Sequence, residues 1–190
     1  MRNNIYITAL ALLLSAAASA QTAVAPPPQP ADNGPSLAVT MQFIQAKMNE
    51  VGKINFAAYT HDNANGQDFV DQISVESGNV VADPAACRIS YHRTLINNGA
   101  PTIKDFTINL RDVLNLSVIT GDMAVTQAQA EGGHPARNSR VEPPIFVLVV
   151  KKAGNQENWI YLSDEEMANR IAKAMVHAVE LCGGGNKEPF

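Results

Sequence analysis

Pro143-Pro144-Ile145-Phe146-Val147-Leu148-Val149-Val150-Lys151-Lys152 sets six consecutive large apolar side chains between two prolines and two lysines. A strand with one face in water alternates apolar and polar residues, so an unbroken apolar run of this length is buried on both faces and lies centrally in its sheet. The prolines and lysines at its ends act as breakers against aggregation.

The segments on either side read as further strands. Ile54, Phe56 and Ala58 alternate with Asn55, Ala57 and Tyr59, and Ile73 and Val75 continue the alternation on one face. Cys87, Ile89 and Tyr91 alternate with Arg88, Ser90 and His92. The turn Asn97-Asn98-Gly99 leads to Ile103, Phe106, Ile108 and Leu110, and Leu116 to Gln129 gives a less regular strand pattern. After the apolar run, a turn near Gly154 leads to Trp159 and Tyr161. No helical pattern separates these strands, so a mainly antiparallel sheet is favoured over a parallel one.

Helical patterns bracket the strands. Leu37, Met41, Ile44, Met48 and Val51 recur at steps of four and three and form one stripe, with Ser36 as N-cap and Gly52 as the stop. At the other end Ser163 and Glu166 have capping-box spacing, and Leu162 and Met167 read as a hydrophobic staple. Met167, Ile171, Ala174, Met175, Ala178 and Cys182 make the buried stripe of this helix. Arg170, Lys173, His177 and Glu180 make its solvated side, and Gly183 ends it. The fold class is therefore α+β: about seven mainly antiparallel strands, an N-terminal helix and a packed C-terminal helix.

The N-terminus reads as an export signal. Arg2 precedes the apolar run Ile5 to Leu14, and Ala18-Ser19-Ala20 supplies a small-x-small cleavage site before Gln21. The run is shorter than the roughly 20 apolar residues needed to cross a bilayer. Without a cysteine at the cleavage point, no lipid anchor is expected. Residues 21–35 hold five prolines and read as an extended linker, leaving 36–190 as a single folded domain. A periplasmic or secreted location follows. Losing residues 1–20 removes Arg2 alone among charged groups and takes the net charge from −4 to −5. That disfavours nucleic acid, which needs clustered Lys and Arg.

The chain has two cysteines, Cys87 and Cys182, each on the apolar face of its element. In an oxidising compartment a structural disulfide is the favoured reading. A redox pair would prefer C-x-x-C spacing, and two buried thiols are the remaining alternative.

Chemistry-bearing motifs are sparse. His61, Asn63, Asn65, Gly66 and Gln72 fall at EF-hand positions, but Asp and Glu are missing from the two ends of that loop, and Asn65-Gly66 reads better as a hairpin turn. His61, His92, His134 and His177 lack metal-ligand spacing, so no metal or cofactor is expected. No G-x-S-x-G elbow, phosphate loop or dinucleotide fingerprint occurs. Glu131 to Pro144 is a long loop carrying His134, Arg137 and Arg140, a candidate contact surface whose charge Glu131 and Glu142 can neutralise. Two readings stand. One is a non-enzymatic extracytoplasmic binding or interaction module for a protein or small-molecule ligand, using a sheet edge or this loop. The other is an enzyme or metal protein with a site around His61, Asp62 and His92. A deep polar pocket joining those three residues favours the second; an open strand edge or an apolar groove favours the first.

The order of strands followed by one packed C-terminal helix resembles the pleckstrin-homology-like superfamily. FTINLRDV (Phe106 to Val113) and SDEEMANRIAKAMVHAVELCGG (Ser163 to Gly184) are similar to a group of exported bacterial proteins of unknown function with such a body. The resemblance spans residues 54 to 183 and implies a sandwich or partly open barrel, with the helix 36–51 as an addition. Phosphoinositide-binding members carry Lys and Arg in the first strand loop, whereas Thr60 to Asp68 here contains neither, so lipid-headgroup binding is not carried over. A binding scaffold remains, and a fold does not fix a function.

Overall fold

The computed structural model describes residues 34–133, 137–154 and 156–185, so the expected export signal and most of the expected linker lie outside the described residues. Among the described residues three α-helices and eight strands follow in chain order. They are α1 (Leu37–Glu50), β1 (Lys53–Asp62), β2 (Gln67–Asp83), β3 (Arg88–Asn97), β4 (Ala100–Asn109), β5 (Val113–Thr120), α2 (Gly121–Glu131), β6 (Arg137–Glu142), β7 (Phe146–Lys152), β8 (Gln156–Leu162) and α3 (Glu165–Leu181). The strands form two antiparallel sheets, ordered β4-β3-β2-β1-β6 and β5-β7-β8, and these do not close into a barrel. Among the described residues no helix is long and apolar enough to cross a membrane.

The apolar run is the central strand of the smaller sheet, and its two faces feed two cores. Leu148 and Val150 pack with α1, α3 and the β3–β4 residues Ile89, Tyr91 and Ile108. Ile145, Val147 and Val149 pack instead with Phe56, Ala58, Val75 and Ala124. α1 begins and ends where its caps place it: Ser36 accepts from the Val39 amide at 3.4 Å, and Gly52 takes φ +64°. The β3–β4 hairpin turns through Asn98 and Gly99, both at positive φ, as a two-residue hairpin loop of the primed type requires.

Several expectations are corrected. Leu116 to Gln129 is not one strand: β5 ends at Thr120, whose hydroxyl accepts from Met123 N at 3.3 Å and starts α2. The long loop from Glu131 is half strand, because β6 pairs with β1 as an edge. The cap of α3 is Asp164, which accepts from Met167 N at 2.7 Å, so Ser163 and Glu166 do not form the capping box and the staple is out of register. A one-residue choice between adjacent capping types decides this. His177 is half-buried, with Nε2–H donating to Pro35 O at 2.8 Å and tying α3 to the start of α1.

Cys87 and Cys182 form a disulfide with Cα atoms 5.9 Å apart. Cys87 precedes β3 at φ +51° in a turn, and its carbonyl accepts from Leu110 N at 2.9 Å. Beyond Cys182 the helix ends in a Schellman pair, Gly183 N to Glu180 O at 3.0 Å and Gly184 N to Val179 O at 2.9 Å. A Cβ on Gly184 would stand 2.2 Å from Leu110 O, so glycine lets the helix end lie against the chain that enters β5.

Candidate functional site

His61, Asp62 and His92 do not assemble. His61 Nδ1 pairs with Asp68 at 2.7 Å, and His92 Nδ1 pairs with Asp105 at 2.8 Å. Their partners on β2 are Asp68 and Gly78, ten positions apart, which is about 33 Å along a strand. Asp62 holds the hairpin turn by accepting from Ala64 N at 2.9 Å. His61 and His92 line separate clefts, of about 470 Å³ and 200 Å³. The EF-hand-like loop is a β1–β2 hairpin, with Gly66 at φ +69°. Among the described residues no three or more His, Cys, Asp or Glu side chains converge as a metal site.

The candidate contact loop falls only partly within the described residues. His134 lies outside the described residues, and Arg137 opens β6. Arg140 lies 4.8 Å from the Tyr59 ring centroid and is paired with Glu142.

A groove lies along the free edge of the smaller sheet. Among the described residues β7 is the only strand paired with β5, and Gly185 N donates to Val113 O at its start. Leu116 and Val118 turn half-buried side chains toward α3, which presents Asn169, Ala172, Lys173 and Val176 across from them. Asn169, Lys173 and Val176 are four and three residues apart and so share one helix face. The groove measures about 310 Å³, is largely apolar, and has Lys173 as its one charged lining group. Leu114 and Val176 are 45% and 41% exposed.

A second cleft, about 170 Å³, opens between the larger sheet and α2. Phe56 and Tyr161 stack at 6.4 Å between centroids, and Trp159 completes an aromatic wall. The Trp159 indole N–H donates to Glu157 at 3.0 Å. This bond, with help from Lys151 and Gln127, holds the Glu157 carboxyl below its ordinary range. Burial raises the Tyr161 phenol. Arg93 donates to Trp159 O at 3.0 Å and stacks 4.2 Å from the Phe106 centroid, covering the backbone of β8.

Comparison of the chain with protein-family models, curated proteins and solved structures finds no match. The site therefore rests on geometry alone. Sequence reasoning found the residues of α3 but not the groove, because periodicity shows which face of a strand is apolar and not which of its edges is unpaired. The signal for the second cleft was the run of small residues in GDMAVTQAQA, hidden by reading that segment as a strand.

Proposed function

We propose that this protein is an exported, non-enzymatic interaction module that captures an extended segment of a partner protein by strand addition to β5. The observation that carries this reading is the coincidence of an unpaired strand edge and an apolar groove in one place. An added strand satisfies the free backbone groups of β5, and its alternate side chains enter the groove against α3, giving affinity and selectivity respectively. Lys173 favours an acidic residue in the segment. The leader-like N-terminus and the Cys87–Cys182 bond support an extracytoplasmic setting. Similarity to pleckstrin-homology-like bodies supports a binding scaffold rather than a catalytic one.

The test is photo-crosslinking in the native compartment with a benzophenone side chain at Val176. We expect a discrete adduct that Ala172→Trp, which fills the groove, abolishes. A label at Val176 that captures no more than one at Val81, 58% exposed on the larger sheet, refutes the reading.

A further inference from the structure

The cleft beneath α2 has the properties of a built cavity rather than of loose packing. The start of the helix is pinned: Gly121 N donates to Ile145 O at 2.8 Å, and the Asp122 carboxylate accepts from Val141 N at 2.7 Å. A Cβ on Gly121 would come 2.6 Å from Ile145 Cγ1, so this end cannot move closer to the sheet. Further along, Gln127 reaches Glu157 at 3.4 Å, and Glu157 also holds the indole of Trp159. The helix is thus braced at a fixed height, and Ala124 and Ala128 leave the space below it unfilled. Empty volume is not recovered by collapse when its walls are fixed, and such volume is available to a ligand without a reorganisation cost.

Size and charge then select the occupant. A void of about 150 Å³ lined by apolar side chains takes a single benzene-sized ring, and this cleft measures about 170 Å³. Its one charged lining group is Asp71, on the same face as Phe56 and Ile73. Asp71 accepts from Asn98 Nδ2 at 2.7 Å, a neutral donor that orients the carboxylate and leaves its charge uncompensated. Among the described residues no lysine or arginine lines the cleft. Arg93 is not a lining residue, but its guanidinium bonds Trp159 O at 3.0 Å and stands 5.7 Å from the Tyr161 centroid. Its backbone pairs with Ser77 on β2, six positions from Asp71 and about 20 Å along the strand, which sets this charge at the end away from Asp71. The cleft is therefore negative at its Asp71 end.

We infer that this cleft is a second binding site, distinct from the β5 groove, which takes a small arylalkyl amine with its ring among Phe56, Trp159 and Tyr161 and its ammonium on Asp71. Trp159 is the sole tryptophan of the chain, so its emission reports the site directly. The probes are 2-phenylethylamine, 2-phenylethanol and phenylacetate, titrated against the mature, disulfide-bonded protein. The amine is expected to shift Trp159 emission saturably, the alcohol to bind about tenfold more weakly through loss of the charge-assisted hydrogen bond, and the acid not to bind. Asp71→Asn should bring the amine down to the level of the alcohol. Ala124→Leu fills the cleft and should abolish both responses, and Ala128→Leu, at an exposed position that tolerates change, should weaken both. Equal affinity for amine and alcohol, or an amine titration unmoved by Asp71→Asn, overturns the charge assignment. Binding unaffected by both alanine variants overturns the site. Crosslinking at Val176 is independent of every one of these outcomes.

Discussion

On one face of β7, Leu148 and Val150 meet a helix of 17 residues; on the other, Val147 and Val149 belong to a core covered by a helix of 11. α3 buries Ile171, Met175, Ala178 and Val179, and its end is fixed by the disulfide and by Gly185 N on Val113 O at 3.0 Å. α2 buries only Gly121 and Ala124 and is held by polar contacts at its start and middle. Large side chains fill space and small ones leave it, so stability concentrates on the α3 side, while the core under α2 keeps an unfilled cleft. The β5 groove lies on the flank of the well-fixed helix, so the proposed partner would meet a rigid surface.

The strongest way to break this asymmetry is to remove the staple. The bond joins residues 95 apart, and the chain-entropy account assigns a loop of about 100 residues roughly 4 to 5 kcal/mol. Cys87→Ala, Cys182→Ala and the double variant should each lose a similar amount in urea unfolding, because all three delete one shared interaction. Trp159 emission follows the α2 side and far-ultraviolet dichroism follows the helices. Their transitions should coincide if the two cores unfold together. A double variant that loses the sum of the two single losses contradicts the shared bond.

How much of this asymmetry was legible depends on how local its causes are. α3 announces itself through a stripe of large residues and a glycine stop within one short segment, and the pairing of Cys87 with Cys182 followed from two inward faces. α2 was hidden because its covering face is built from Gly121, Ala124 and Ala128, which leave no stripe of large residues, while Val125 and Thr126 favour strands. Its real signals were Thr120 as N-cap and Asp122 in the first turn. β6 was hidden because an edge strand of RNSRVE carries one apolar residue, Val141, and is specified by its partner β1. His61 and His92 looked like members of one site only because spacing along a chain carries no information about distance across a sheet.

A smaller effect lies on the α3 side and depends on pH. Tyr91 is 2% exposed, and burial pushes its phenol up to about 12 from 10.0, against the lowering influence of Arg93. Asn158 stands beside the hydroxyl, yet neither Tyr91 Oη nor Asn158 Oδ1 meets normal hydrogen-bond geometry. The folded state therefore holds the phenolic proton more tightly than the unfolded chain. Stability is full below pH 10 and falls as pH rises toward 12, by on the order of 2 kcal/mol. Tyr91→Phe should flatten that fall in urea titrations across the range. An unchanged slope shows that Tyr91 does not control it.

The smallest expected effect sharpens the comparison most, because it asks whether α2 is a separate layer of stability. Val125 is half-buried on α2, so Val125→Ala removes two methyl groups from a partly solvated site and should lower global stability by about 1 kcal/mol or less. Its local consequence should be larger than its global one. Segments with few buried apolar contacts open by sub-global fluctuations, at a free energy below that of complete unfolding. Amide exchange should therefore release the protons of residues 125–131 well before those of residues 171–179, and Val125→Ala should accelerate the first group alone. Ligand binding only to the closed state of α2 must slow the same group, so 2-phenylethylamine should restore protection there and leave α3 unchanged. Equal protection of α2 and α3 in the unmodified protein would mean that the two faces of β7 are equally secure and that the small residues of α2 cost the fold nothing.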